Sequence, residues 1–268
     1  ASFSLLRSEV ISIADGIDQI YVGGYVGRGN IAIPGLPYGI LEGEVIRRDY
    51  GSLDGTDHTQ VHWDDRTNYT PIVNANGGYQ FLGYGVIGNP QPDFVYGVTN
   101  TLSYKWATLR VQFDSQVGGD VFSTTNSTLL GRGILQETDF DRFVPVVTNG
   151  LSADGTPNTT QTTANAHYWP NTGVFYDENS IYDASVMRLR EVSLSFVAPK
   201  SFLNGTPFGN ASLTLSAQNI WHYAWNTPSG TNFDPEVISY GAGSNARGFD
   251  EMTGPTAKKY GATLSLTF

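Results

Sequence analysis

The stretch 92–119, PDFVYGVTNTLSYKWATLRVQFDSQVGG, alternates apolar with polar residues along two arms. In the first arm Phe94, Tyr96, Val98, Leu102 and Tyr104 fall on one side of an extended strand, and Thr99, Thr101 and Ser103 on the other. Successive side chains of a strand point to opposite faces, so this period of two marks a β-strand with one apolar and one polar face. The phase slips only at Asn100. In the second arm Ala107, Leu109, Val111 and Phe113 oppose Thr108, Arg110, Gln112 and Asp114. A tight turn near Lys105 joins the arms, which predicts a hairpin of two strands of about ten residues each.

A second pair follows the same plan further along. ASVMRLREVSLSFVAP (184–199) and GNASLTLSAQNIW (209–221) are joined by a short segment containing Pro199, Gly205 and Pro207. In the latter, Leu213, Leu215, Ala217 and Trp221 oppose Thr214, Ser216 and Gln218. The former changes phase around Arg190–Glu191, which predicts a β-bulge there. The final stretch, residues 257–268, sets Tyr260, Ala262, Leu264, Leu266 and Phe268 against Gly261, Thr263, Ser265 and Thr267. Residues 1–13 and 37–49 carry weaker strand patterns, giving about seven strands.

Between the strands, short connections follow Tyr104 and Pro199, and long ones occupy about 50–92, 118–182 and 223–256. Short turns at one end and long loops at the other form the layout of an outer-membrane β-barrel. The alternation alone fits a soluble β-sandwich equally well, because its outer faces are also polar. Tyr104, Trp106, Trp221, Tyr223 and Trp225 stand at strand ends, where an aromatic girdle would meet the membrane interface or where a sheet edge would simply pack.

Bulk composition narrows the classes. The 268 residues include 25 acidic and 15 basic ones, a formal charge of −10 that argues against a nucleic-acid surface. Only 15% are charged, while Gly (31), Tyr (15) and Phe (14) are plentiful, a composition of strands and turns. The absence of cysteine removes disulfides, thiolate metal sites and cysteine nucleophiles together. No apolar run is long enough for a transmembrane helix. The first residues, ASFSLLRSEVISIADG, lack the basic start and long apolar core of a signal peptide and already read as a strand.

Several stretches together resemble one family. IGNPQPDFVYGVTNTLSYKWATLRVQF (87–113) is similar to the central barrel motif of SusC/RagA-type TonB-dependent transporters. IYDASVMRLREVSLSFVAP (181–199) resembles a late strand motif of that family. LTLSAQNIWHYAW (213–225), followed by Asp234-Pro235-Glu236, resembles its penultimate strand and loop, and PTAKKYGATLSLTF (255–268) its closing strand. GLPYGILEGEVI (35–46) and DGTPNT (154–159) are weaker matches in the same order.

The resemblance implies an all-β fold: an antiparallel transmembrane β-barrel segment, about seven or more strands of a plugged barrel of about 22. Long loops would be extracellular and short turns periplasmic. With the chain end in the periplasm, residues 257–268 run inward, and stepping back through the loops makes residues 1–13 run inward too. A complete barrel would begin with an outward strand. The expectation is therefore that residues 1–268 are the C-terminal part of a longer receptor, without its plug domain and N-terminal barrel strands.

By the same resemblance the function is nutrient import across the outer membrane of a Gram-negative bacterium, with an oligosaccharide or peptide as cargo. A SusD-like surface lipoprotein would hand the cargo over, and TonB, ExbB and ExbD would act through the plug. Tyr260, Leu264, Leu266 and Phe268 resemble the signal read by the barrel-assembly machinery. An unpaired strand edge is costly in lipid, so a terminal strand must pair to close the wall. No catalysis and no cofactor are implied. The alternative is a non-transporting, β-rich surface binding or structural module.

Candidate sites are few. Polarity of face points Arg110, Gln112, Asp114, Thr214, Ser216 and Gln218 into a lumen, as channel lining, as contacts to the plug or as a hydrated wall. VNANGGYQ (73–80) has Asn74 and Asn76 where a calcium loop needs carboxylates, and reads as a polar turn. His58 and His62, four apart near Asp64 and Asp65, have zinc spacing only on a helix, and the segment is rich in Gly and Asp. His167 and His222 read as isolated, exposed loop residues. GGYVGRG (23–29) has the wrong spacing for a nucleotide loop. Asp139/Asp141 and Asp177/Glu178 have the composition of acid–base pairs but read as solvated charges. Tyr168, Trp169, Tyr176, Tyr223 and Trp225 are candidates for stacking on sugar rings or for docking a lid.

Overall fold

Alternation at period two gives strands whose pairing follows from matching the apolar faces, and the computed structural model shows which strands pair. It describes residues 1–49, 63–171, 176–227, 231, 233–236, 239–240, 245–254 and 256–268. The first strands along the chain are β1 (Ser2–Ser4), β2 (Ile20–Tyr25), β3 (Arg28–Ala32), β4 (Ile40–Ile46), β5 (Arg48–Asp49), β6 (Thr70–Pro71) and β7 (Phe81–Gly88). The long hairpin is β8 (Phe94–Tyr104) and β9 (Ala107–Val117), followed by β10 (Asp120–Ser123), helix α1 (Thr124–Gly131), β11 (Val146–Val147), β12 (Gln161–Thr162) and a short turn of helix, α2 (Ala164–Ala166). The rest comprises β13 (Ile181–Asp183), β14 (Val186–Val197), α3 (Lys200–Leu203), β15 (Asn210–Tyr223), β16 (Phe249–Asp250) and β17 (Lys259–Thr267). The fold is all-β.

The long strands form one six-stranded antiparallel sheet in the order β1-β8-β9-β14-β15-β17. The β8–β9 register is unbroken from Phe94↔Val117 to Tyr104↔Ala107. Asn100 therefore stays on the apolar face opposite Val111, without a shift of pairing. Lys105, at φ 51, makes the two-residue turn with Trp106. The bulge expected near Arg190 is present: the register shifts between Leu189 and Glu191 against both neighbours. One residue of β9, two of β14 and three of β15 cover the same interval, and Asn219 takes φ 51 to absorb the excess. Such steps bend the strands and strengthen their twist.

Two expectations about the start of the chain are corrected. Residues 37–49 do not join the long sheet; β4 belongs to a separate four-stranded sheet, β2-β3-β4-β7. Residues 1–13 contribute only β1, which pairs directly with β8, antiparallel. β1 therefore runs opposite to β8 and to β17, not with β17. The direction argument for missing strands loses its footing, because the strand count between residues 1 and 94 was too high by the one assigned to 37–49. Burial separates β4 from a wall strand: six of its seven residues are buried, with no exposed face.

All three long connections gather beyond one end of the long sheet. β9 continues through Gly118 and Gly119 (φ 73 and 82) into β10. A Cβ on Gly118 would lie 2.5 Å from a carboxylate oxygen of Asp93, so the exit turn needs glycine. β10 pairs with β13 from the same connection and with β16 from the last one. Leu41, Val45, Ile87, Phe122 and Phe249 form the buried core between these pieces, and Phe122 and Phe249 have ring centroids 5.7 Å apart. The hydrophobic core thus lies in the loops. The apolar face of the long sheet is uncovered, with Leu102 62%, Leu215 45% and Leu264 65% exposed.

Candidate functional site

The pairing arranges side chains in rows across the long sheet. Thr108, Ser195, Thr214 and Thr263 form one polar row, and Arg110, Ser193, Ser216 and Gly261 the next. Gln112, Glu191, Gln218 and Lys259 form a third. Arg110, Gln112, Asp114, Thr214, Ser216 and Gln218 are thereby brought to a single polar face. Neighbouring hydroxyls satisfy each other across strands, Ser195 with Thr214 at 2.9 Å and Ser103 with Thr108 at 3.0 Å.

The apolar rows lie on the opposite face. Leu102, Leu109, Leu194, Leu215 and Ala262 stand side by side one row in from the hairpin end. Aromatic residues bracket them. At the hairpin end stand Tyr104, Trp106 and Phe196, with Trp106 and Phe196 centroids 5.6 Å apart. At the loop end Trp221 stacks on Tyr223 at 6.4 Å, and Tyr223 approaches Trp225 at the same distance. From Tyr96 to Tyr104 the strand advances about 27 Å at ~3.4 Å per residue. Tilted by about 40°, that is about 21 Å of height, close to the ~25 Å apolar band of outer-membrane barrels. On the terminal strand Tyr260, Leu264 and Leu266 share this face, and Phe268 packs on Phe208 at 5.2 Å.

The bulge carries a charge cluster whose residues the sequence shows but does not connect. Arg190, the extra residue of the bulge, donates to both carboxylate oxygens of Asp114 at 2.7 and 2.8 Å. It also donates to both oxygens of Glu236 at 2.7 and 2.8 Å. Arg188, buried, donates from Nε to Asp234 at 3.2 Å and pairs with the same carboxylate through Nη2. Asp234 accepts further bonds from Thr256 Oγ1 at 2.7 Å and from the Glu236 backbone at 3.1 Å. Burial alone would raise the Asp234 pKa, but the Arg188 guanidinium and these donors outweigh it and hold it below the usual carboxylate value. The last long connection is thus pinned to the polar side of the sheet at the bulge. The sequence signal was available, since both arginines and the Asp-Pro-Glu sit in adjacent motifs.

Asp177 and Glu178 correct an expectation. Both are anchors, not solvated charges. Asp177 is buried, pairs with Arg28 and accepts the Glu44 backbone N–H at 3.1 Å. Glu178 pairs with Arg48 and accepts the Ile46 N–H at 2.8 Å. Together they dock the 118–185 connection onto β4. His167 and His222 are corrected as well. Half-buried His167 lies 3.1 Å from Thr148 Oγ1, and burial lowers its pKa. His222 is part of β15, opposite Arg188.

Other sites behave as the residues suggested. Asn74 Oδ1 accepts the N–H groups of Asn76 and Gly78 at 2.8 and 3.2 Å, a polar turn. Asp139 and Asp141 are exposed, and Asp141 accepts the Phe143 N–H at 3.0 Å. His58 and His62 lie outside the described residues. Among the described residues, no group of three or more His, Asp or Glu side chains is placed to hold a metal ion. No helix there is long and apolar enough to cross a membrane.

Among stacking candidates, Tyr176 donates to the Tyr79 carbonyl at 2.6 Å and meets its ring edge-on at 6.0 Å, which makes it a packing residue. Tyr168 and Trp169 line a cleft of about 480 Å³ with Arg132, Phe140 and Arg142.

Comparison with known proteins supports the family resemblance. No family model matches the chain. TonB-dependent receptor P3 of Formosa agariphila is 27% identical over 295 residues, covering 100% of this chain and 26% of the receptor. TonB-dependent receptor P26 of the same organism is 27% identical over 192 residues, 68% of this chain and 18% of the receptor. The chain spans about a quarter or less of the length of these curated relatives. Among solved structures, the RagAB peptide transporter matches 99% of this chain and 26% of its own, with a TM-score of 0.55 and 19% identity. The RagAB peptide importer in its closed-closed state matches with a TM-score of 0.58 and 18% identity over the same shares. The likeness to SusC/RagA-type TonB-dependent receptors therefore extends through the whole chain, in sequence and in fold.

Proposed function

We propose that residues 1–268 form part of the barrel wall and the surface loops of an outer-membrane, TonB-dependent nutrient importer of a Gram-negative bacterium. The uncovered apolar face of the six-stranded sheet carries this reading. A soluble sandwich buries such a face under a second sheet, whereas a barrel wall turns it to lipid. The polar rows then face a lumen, and Arg110, Gln112, Asp114, Thr214, Ser216 and Gln218 line it. The aromatic rows meet the two interfaces. The gathered long connections form the extracellular cap, and the β8–β9 and β14–β15 turns lie in the periplasm.

In this reading the chain is the C-terminal portion of a barrel of about 22 strands, whose plug and remaining strands lie elsewhere in the receptor. The closing strand with Phe268 is the element read by the barrel-assembly machinery. The cargo is an oligosaccharide or a peptide delivered by a SusD-like lipoprotein, and the energy arrives through TonB, ExbB and ExbD. The wall performs no chemistry on the cargo.

The test is fractionation and uptake with the full-length receptor. It is expected in the outer membrane, extractable only with detergent, and its cargo uptake is expected to stop when TonB is removed. Release into a salt wash without detergent would overturn the wall assignment. Uptake that persists without TonB would overturn the energy coupling.

A further inference from the structure

The cleft beside α1 holds two arginines in a chain with 25 acidic and only 15 basic residues. Neither has a carboxylate partner among the described residues, and no acidic residue lines the cleft. Both guanidiniums are nevertheless fixed in place. The Arg132 guanidinium lies 4.4 Å from the centroid of the Trp169 ring. Trp169 approaches so closely because residue 131 is glycine; a Cβ there would lie 2.7 Å from the ring. Arg142 donates to the Gly133 carbonyl at 2.6 Å. Gly133 has φ +69, and a Cβ on it would sit 2.0 Å from an Arg142 nitrogen. The Gly-Arg-Gly run 131–133 thus orders one arginine by stacking and the other by a carbonyl, and leaves most of their N–H groups unused.

The remaining surface of the cleft adds the second half of the argument. Phe140, 38% exposed, sits beside Tyr168 with centroids 6.1 Å apart, and the exposed Asn165 amide stands at the rim. Of the nearby acids, Asp141 is turned onto the Phe143 N–H, and Glu137 stands close enough to Tyr168 to help raise its pKa, after burial, without itself lining the cleft. Guanidinium forks match carboxylate and sulfate oxygens in pairs. A half-exposed aromatic ring offers a flat apolar platform of the size of a sugar ring. The walls are helix ends and turns, with no strand edge in the lining to pair with an extended peptide.

We propose that this cleft binds an acidic saccharide, its carboxylate or sulfate held by Arg132 and Arg142 and its ring resting on Phe140. The assignment deepens the importer reading and rests on it for the ligand's role as cargo; binding itself is independent of transport.

The experiment is titration calorimetry on the full-length receptor in detergent with four probes: sulfated and unsulfated chondroitin tetrasaccharides, neutral cellotetraose, and tetra-aspartate. Both acidic saccharides are expected to bind about tenfold or more tightly than cellotetraose. Arg132→Gln and Arg142→Gln are each expected to weaken them by about 5- to 20-fold. Phe140→Ala is expected to weaken all three saccharides alike. The Arg132→Lys/Arg142→Lys double variant, which keeps charge and packing bulk, is expected to lose about fivefold and guards against misfolding as the cause.

Binding unchanged in the glutamine variants, absence of binding by both acidic saccharides, or tighter binding of tetra-aspartate would overturn the proposal. Arginine-dependent saccharide binding together with uptake that ignores TonB would leave the site standing and sink the importer reading instead.

Discussion

Val111 gives the sharpest test of what the apolar face meets. It stands between Asn100 and Val192, with Ala217 next across the sheet, midway between the rows of Tyr104 and Tyr96. If that row faces the bilayer interior, Val111→Arg costs about 2–4 kcal/mol, falling to about 0–1 kcal/mol for Tyr104→Arg at the interface. At ~1.4 kcal/mol per decade the mid-sheet substitution shifts the folding equilibrium about 30- to 700-fold. A charged residue would also damage a dry protein core, so the depth gradient and a second substitution make the distinction. Val111→Phe meets only fluid lipid and is expected to be neutral, whereas overpacking a close-packed core costs about 1–3 kcal/mol. Gln112→Arg, on the polar face, is expected to stay within about 0.5 kcal/mol. The assay is urea titration of the full-length receptor in phospholipid vesicles, with the folded fraction read from heat-modifiable gel mobility. Equal costs for arginine at 111 and 104, or a phenylalanine penalty as large as the arginine one, would refute a lipid-facing row.

Further predictions follow from the anchors. Asp177→Ala leaves Arg28 without its partner and the Glu44 N–H without its acceptor; Arg28 is 34% exposed, so the cost falls below the about 3–5 kcal/mol of a fully buried pair, and limited proteolysis should then cut within 20–88 first. Gly43→Ala is expected to loosen the same junction, because its Cβ would lie 2.4 Å from Ile87 and 2.7 Å from Asp177, and a thermal melt should show it. Asp234 has a folded pKa below its unfolded value near 3.8, so its stabilisation of the last connection is full above that value and disappears as the pH falls through the lower, folded one. Amide exchange at Glu236 should accordingly stay slow at pH 5 and speed up in stronger acid, and Asp234→Asn should remove that acid limb; a transition centred near neutrality would count against the assignment. Deleting Phe268 removes its packing on Phe208 and the last residue of the terminal pattern; the receptor's yield in the outer membrane should fall with synthesis unchanged, and an unaltered yield would discard the assembly role.

The long strands were legible because their pattern is local. Each apolar residue from Phe94 to Phe113 announces its face by sequence spacing alone, and Arg190 announces its bulge by breaking that spacing. β4 misled for the same reason: a period of two does not say which sheet a strand joins. Its run, Ile40-Leu41-Glu42-Gly43-Glu44-Val45-Ile46, lacks a clean polar face, and that is the trace of burial on both sides. Asp177 was opaque in a different way. Its partner Arg28 is 149 positions away, and nothing in the local composition distinguishes a buried anchor from a solvated acid. The arginine cleft was half visible: Tyr168 and Trp169 stood out as aromatic residues in a loop, but Arg132 and Arg142 joined them only through folding.

The direct pairing of β1 with β8 has a wider consequence. The chain leaves the long sheet after Ser4 and re-enters it at Phe94 on the adjacent strand, with the four-stranded sheet in between. Its two attachment points are about 5 Å apart, one strand spacing. A module inserted at such neighbouring points can grow, shrink or be exchanged without moving the register of any flanking strand. What constrains a replacement is packing and not register: a foreign segment must also supply partners for buried Asp177 and Glu178 and the apolar contacts that Leu41, Val45 and Ile87 make with Phe122 and Phe249.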